Sequence, residues 1–395
     1  MENLHEQDKK YILNTYKRGN LVIERAEGSY LYDTEGNKYL DMYAGISVNN
    51  LGHDKKIAEI MAQQALKYTH LSNYFISEPV VKLAKLIVDN SFASKVFFTN
   101  SGTESNEAAI KLCRKYGKQF DKNKYEILSA YNSFHGRTSG SLALTGQEKY
   151  QSPFTPLMSG VSHFEYNNTE SLRERVNENT CAIFLEIIQG EGGVIETTQE
   201  FIDEAVRLSK RYNFLLVIDE IQTGIGRTGD LFAFEKFNFT PDIITLSKSL
   251  GGGLPLGAVL INKKLEDLFA AGDHGSTFGG NPVSCACGIY VLEKILNTDL
   301  LEEVKQKGDF LIERLNSLKE IYPDIITNVR GRGLMIGVEI KNHIARIKEL
   351  AQEKNLLLNS TANTVIRLLP PLSISKDEIN QFLNIFKEIL LKLNS

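Results

Sequence analysis

The sequence is thin in the residues that build disulfide frameworks, metal sites and membrane spans. Its four cysteines, Cys113, Cys181, Cys285 and Cys287, form no C-x-x-C. Cys285 and Cys287 sit in an apolar stretch, and all four read as buried thiols of a reducing compartment. The seven histidines are scattered, with no H-x-x-x-H or H-E-x-x-H spacing, which argues against a metal centre. No apolar run approaches the ~20 residues needed to cross a bilayer. The N-terminal MENLHEQDKK is neither apolar nor arginine-rich, so a cytoplasmic protein without a leader is expected. Neither sign of charge dominates: 45 basic against 49 acidic side chains leave −4. Such a balance offers no global field for nucleic acid or an anionic membrane.

What is present is an ordinary globular composition, 42% hydrophobic and 24% charged, over 395 residues without repeat or low-complexity linker. That length suggests two or three domains and a large core. Apolar, strand-like runs fall at Val96–Thr99, Ala182–Ile188, Leu215–Ile218, Ile243–Leu246 and Ala258–Ile261. Between them, QEFIDEAVRLSKRYN repeats Phe201, Ala205, Leu208 and Tyr212 at helical spacing. Strands apolar on both faces, alternating with helices, predict an α/β layer with a mostly parallel central sheet flanked by helices. Residues 21–45 read as short strands and turns. Near the C-terminus Ser375 and Glu378 form a capping-box pattern before a helical stripe of Ile379, Phe382, Phe386, Ile389 and Leu393. The expected division is a large domain over 50–295 and a smaller α+β domain built from 1–49 and 296–395.

Ligands of parallel α/β sheets collect at the carboxyl ends of strands, and three predicted strand ends carry unusual chemistry. In FFTNSGTESNEAAIKL a strand stops at Ser101-Gly102-Thr103 and a helix begins, which suits an anion: glycine permits close approach and the helix offers free N–H groups. In FLLVIDEIQTG an apolar strand ends in Asp219-Glu220, where a carboxylate can pair with a cationic ring nitrogen, a metal or a ribose. In DIITLSKSLGGG Lys248 follows an apolar strand, and apolar surroundings lower a lysine pKa, which suits imine formation. Each has a plainer reading alone: a capped turn, a solvated strand end, a snorkelling lysine. Together they are the phosphate cradle, ring-nitrogen partner and aldehyde partner of one cofactor. A further segment, GIGRTG at Gly224–Gly229, matches G-x-G-x-x-G. It stands several residues past its strand with no clear helix at the third glycine, so a dinucleotide-binding dehydrogenase is the weaker reading.

The segments FFTNSGTESNEAAIKL, NSFHGRTSGSLALTG, QGEGG, DEIQTGIGRTG, LSKSLGGGLPLGA and HGSTFGGNP, in this order, resemble the class III (subgroup II) aminotransferases of pyridoxal-phosphate fold type I. The resemblance implies that Lys248 holds the cofactor as a Schiff base, that Asp219 binds its ring nitrogen, and that Gln222 lies near its ring hydroxyl. It also implies Phe134 on the ring face and Ser101, Gly102 and Thr103 at the phosphate, with Glu220 and Ile221 beside the ring. Thr277 would reach the phosphate of a partner subunit, with Ser276 near the substrate, so a homodimer with shared sites is expected. Arg137 would bind the α-carboxylate of an acylated ornithine, and Arg367 that of glutamate or 2-oxoglutarate. Glu191 would mask Arg367 in the other half-reaction, and Tyr16 would help seat a carboxylate. Within the class the likeness runs to acetylornithine aminotransferases of arginine biosynthesis, a type that also takes N-succinyl-diaminopimelate. Ornithine or 4-aminobutyrate aminotransferase and, more remotely, an aminomutase are the alternatives. Ile46, in YAGISVN, stands where ornithine aminotransferases carry a tyrosine.

Overall fold

The protein is described here from a computed structural model covering residues 3–394. Strands Thr180–Leu185 and Leu215–Asp219 are buried at every position, as strands with helices on both faces must be. They lie at the centre of a seven-stranded sheet. Its members in chain order are β1 Lys95–Thr99, β2 Glu126–Ala130, β3 Val161–Phe164, β4 Thr180–Leu185, β5 Leu215–Asp219, β6 Ile243–Leu246 and β7 Gly257–Ile261. The spatial order is β1-β7-β6-β5-β4-β2-β3. Only β7 runs against its neighbours β6 and β1. The remaining pairings are parallel, so the carboxyl ends of the other strands share one edge.

Two details differ from the sequence expectation. The run predicted as Ala182–Ile188 leaves the sheet after Leu185, and Ile188–Gln189 pairs with Ile195–Glu196 instead. The chain must leave there because Glu186 stands at the carboxyl edge, beyond the last partner in β5, Ile218. Strands β2 and β3 have only short or half-polar sequences, EILSA and VSHF, and gave no period-2 signal. Helix Gln199–Tyr212 buries Phe201, Ile202, Ala205 and Leu208, and Thr198 caps it by accepting from the Phe201 amide at 3.2 Å.

The two ends of the chain meet. Strand Lys38–Asp41 pairs in parallel with Leu356–Leu357, joining Leu40 to Leu356. A separate antiparallel sheet of Ile326–Arg332, Met335–Ile340, Val365–Leu368 and Asn359–Thr361 carries Arg367. Helix Lys376–Asn394 starts with the reciprocal bonds of a capping box: the Ser375 amide donates to Glu378 at 2.8 Å and the Glu378 amide to Ser375 at 3.1 Å. Ile379, Phe382, Phe386 and Ile389 are its buried face, while Leu393 is half-buried. Among the described residues no helix is long and apolar enough to cross a membrane.

Candidate active site

The carboxyl edge of the sheet opens into a cavity of about 260 Å³. Gly102, Thr103, Phe134, Arg137, Glu191, Asp219, Ile221, Gln222 and Lys248 all line it. Helix Gly102–Lys118 is capped by Ser101 and starts at its wall, where its first residues Gly102 and Thr103 line the cavity. A Cβ at position 102 would stand 2.7 Å from Ile221 Cδ1, so glycine is what lets this helix end close on the cavity. Thr103 Oγ1 lies 2.8 Å from Thr138 Oγ1, which ties the Phe134–Arg137 loop to the same helix end.

Asp219 ends β5 and is 4% exposed. Three donors converge on its carboxylate: the Ile221 amide on Oδ1 at 3.0 Å, and Asn106 Nδ2 and His135 Nδ1 on Oδ2 at 2.9 and 2.8 Å. Burial works against a charged His135 ring and the Asp219 carboxylate outweighs it, so the His135 pKa lies above its ordinary value. Asn106 also donates to the His135 carbonyl at 2.7 Å, which fixes the pair as a unit. Neither Asn106 nor His135 was singled out from sequence. The available signal was position: Asn106 follows the helix start by one turn, and His135 adjoins the aromatic Phe134. Phe134 donates its amide to Glu186 at 3.1 Å, and burial pushes this carboxyl up to about 8.

Lys248 follows β6 in a left-handed conformation, φ +46°, unusual for a side chain with a Cβ and typical of strain kept at functional positions. Burial holds its ammonium below the ordinary lysine value, with Asp219 partly offsetting. Arg367 is 1% exposed. Its Nη1 donates to Glu191 at 2.6 Å and to Gln222 Oε1 at 3.2 Å, and its Nε and Nη2 to Asn359 at 3.2 and 2.9 Å. Burial opposes ionisation of Glu191, and the Arg367 charge outweighs it, leaving that carboxyl below its usual range. Arg137 is exposed at the mouth, its guanidinium 3.8 Å from the Tyr150 ring centroid and 5.5 Å from that of Phe134. It has no ion-pair partner among the described residues.

Other expected residues lie apart. Glu220 turns away from the cavity and accepts from the Phe234 amide at 2.8 Å; burial raises its carboxyl to about 7. Ser276 is held in its own chain, accepting from Asn100 at 3.1 Å and from the Gly279 amide at 2.9 Å. Thr277 is exposed and does not line the cavity. Tyr16 is 71% exposed and also stands outside it. The GIGRTG segment forms turns, with no helix at the third glycine, so it lacks the geometry of a dinucleotide loop.

The chain matches the family Aminotransferase class-III over residues 12–390. It belongs to the class-III aminotransferases. An acetylornithine aminotransferase of Caldanaerobacter subterraneus subsp. tengcongensis is 44% identical over 98% of both chains. A succinylornithine transaminase of Photorhabdus laumondii is 41% identical over 94% of both. The crystal structure of an ornithine aminotransferase from Toxoplasma gondii ME49 superposes with a TM-score of 0.94 at 28% identity, covering 100% of this chain and 96% of that one. The aminotransferase fold and its pyridoxal phosphate cofactor follow, and the cavity suits that cofactor: a helix end for phosphate, a carboxylate with all its local donors satisfied, an aromatic face and a lysine with a lowered pKa. When bound, the cofactor supplies an aldehyde and an electron-accepting ring.

Proposed function

We propose that this aminotransferase moves the δ-amino group of N2-acetyl-L-ornithine to 2-oxoglutarate, giving N-acetyl-L-glutamate 5-semialdehyde and L-glutamate. The observation that carries this reading is the unequal state of two arginines. Arg137 stands at the mouth over the Tyr150 ring with no ion-pair partner among the described residues, whereas Arg367 is masked by Glu191 at 2.6 Å. A donor with one carboxylate needs one arginine, and Arg137 offers it, orienting the distal amine inward. The dicarboxylate 2-oxoglutarate needs both, and takes Arg367 by displacing Glu191. Arginine suits this because its planar fork grips a carboxylate bidentately.

Lys248 then serves as the base and acid that carries the substrate proton, with its lowered pKa matching that task. Asp219 would keep the cofactor ring nitrogen protonated, with Gln222 toward the ring hydroxyl, and Phe134 would cover one ring face while Gly102, Thr103 and the Ser101-capped helix end would hold the phosphate. Ile46 is half-buried and outside the lining of the cavity; if it faces the bound donor, a free α-ammonium would be poorly solvated beside it, while a neutral acylamide would lose less. The likeness to acetylornithine aminotransferases supports the acyl preference, and the succinylornithine transaminase relative favours a longer acyl group as a second substrate.

The reading includes a cytoplasmic homodimer. Beside Thr277, Asn73 donates to the Ser276 carbonyl at 2.8 Å, and Tyr74, Phe75 and Ile76 next to it are 97%, 68% and 90% exposed. Such an apolar patch suits a second copy of the chain, which would bring Thr277 to the neighbouring phosphate. The test of the substrate is kcat/KM for acetylornithine and for ornithine at saturating 2-oxoglutarate. A clear preference for the acetylated amine is expected; preference for ornithine or 4-aminobutyrate would overturn the assignment.

A further inference from the structure

Arg227 is the fully buried charge that the mechanism above leaves unused. It is 0% exposed and has no carboxylate partner among the described residues. All its partners are neutral oxygens: Nε donates to Ser47 Oγ at 3.0 Å, Nη2 to Asn50 Oδ1 at 2.5 Å, and Nη1 to the Leu334 and Pro370 carbonyls at 3.0 and 2.6 Å. Its location explains the glycine pattern of GIGRTG. Gly226 and Gly229 adopt φ +85° and +91°, and these turns drive the intervening arginine inward. A buried unpaired charge is expensive to keep, so its partners deserve a functional reading.

Those partners flank the carboxylate site from two sides. On one side, Ala44, Gly45, Ile46 and Ser47 are consecutive residues with φ +45°, +64°, +63° and +63°, a left-handed turn that residues with a Cβ disfavour. Ser47 ends that turn. Ser47 Oγ accepts from Arg227, and its own proton faces two acceptors, the Gln222 backbone carbonyl at 3.2 Å and Asn50 Oδ1 at 3.3 Å. The side-chain Oε1 of the same Gln222 accepts from Arg367 Nη1 at 3.2 Å. On the other side, Pro370 closes the strand Val365–Leu368 that carries Arg367. One planar guanidinium thus spans the strained turn next to Gln222 and the end of the Arg367 strand.

We infer that Arg227 is a positioning residue for the dicarboxylate half of the reaction, holding Arg367 and Gln222 in register through Ser47 and Pro370. The inference rests on the proposed use of Arg367 by glutamate and 2-oxoglutarate and of Arg137 by the amine donor. Lysine cannot replace Arg227, since its single ammonium cannot span acceptors that lie on both sides of the fork.

The experiment uses holoenzyme and follows each half-reaction separately by the cofactor's absorbance. Arg227→Lys should raise the apparent dissociation constant for L-glutamate by about tenfold, the effect of one lost hydrogen bond to a charged group, while the acetylornithine half-reaction changes several-fold less. Ser47→Ala removes the acceptor of Arg227 Nε together with the donor to Gln222, keeps the other three guanidinium bonds, and should show the same selectivity in smaller measure. A purely structural clamp would damage both halves in equal proportion, and that result, or no change in either, overturns the inference. Should Arg227→Lys fail to fold, Ser47→Ala decides by the same ratio. The glutamate half-reaction does not depend on which amine is physiological. A wild type that ignores acetylornithine but accepts glutamate would count against the substrate reading, with the selectivity of the variants then judged against its preferred amine.

Discussion

Replacing Asp219 by asparagine changes one oxygen for one NH₂, and the geometry says why that small change is severe. The carboxylate accepts on both oxygens, from the Ile221 amide on one and from Asn106 and His135 on the other. An asparagine must set its NH₂ against a donor in either orientation. Turned toward Oδ1 it meets the backbone amide at a 3.0 Å position. Turned toward Oδ2 it meets Asn106, and His135 could relieve its own clash only by moving its proton to Nε2, a buried atom with no acceptor. One unsatisfied buried donor costs about 1–3 kcal/mol of stability. The larger loss is in catalysis. The carboxylate accepts from three buried, preorganised donors, and removing one preorganised electrostatic group typically costs ~3–4 kcal/mol, roughly 10²–10³-fold in turnover. The measurement is the single half-reaction rate with acetylornithine, together with the melting temperature and the cofactor absorbance. We expect a folded, somewhat less stable protein that retains cofactor and turns over slowly. Turnover within a fewfold of wild type would refute the argument, because it would mean the ring nitrogen does not depend on this charge.

Two further expectations follow from the same cavity. Burial raises Glu186 from its ordinary 4.5 to about 8, so between those values the unfolded chain releases a proton that the folded chain keeps. Stability then falls as pH rises through that window, by at most about 1.4 kcal/mol per pH unit, and levels off above it. Glu186→Gln lacks this dependence, so its melting temperature should gain on wild type between pH 5 and pH 8; parallel curves would contradict it. For the shared site proposed above, the Lys248→Ala protein should lack the proton carrier and be slower by on the order of 10²–10⁴. Mixing it with Thr277→Ala subunits should restore activity above either parent, whereas activity no higher than the weighted mean would exclude sharing.

The sheet core was legible because its central strands are apolar at nearly every position and buried at all of them, a pattern that cover on both faces explains. Strands such as Leu215–Asp219 and Ile243–Leu246 fall at their expected places. The strands that escaped notice are Val161–Phe164, at the sheet's edge and only half-buried, and Glu126–Ala130, which carries a polar serine and a terminal glutamate. Periodicity reports burial, so the half-buried Val161–Phe164 sends a weak signal, while in the well-buried Glu126–Ala130 the polar serine breaks an already short apolar run. The same limit explains Ile188: apolarity alone continued the strand, but the chain's departure at Glu186 depends on where the sheet ends in space.

The site was legible to the extent that its chemistry sits at strand ends. Lys248, Asp219 and Gly102 were found by adjacency to apolar runs, and the cavity brings them together. What sequence could not supply were the groups that reach in from elsewhere in the chain. His135 and Asn106 lie 84 and 113 positions from Asp219. Each is a common residue type without local peculiarity. Arg227 is the sharper case. Read as a string, its segment matches a dinucleotide loop; in space its glycines serve turns that bury an arginine against Ser47, Asn50, Leu334 and Pro370. The partners come from three separate stretches of the chain. A motif thus constrains backbone shape, and glycine spacing alone does not say whether the shape cradles a phosphate or turns a side chain inward. The discriminating feature is the element that follows: a helix whose N-terminus can meet an anion begins at Gly102, and none begins at Gly229.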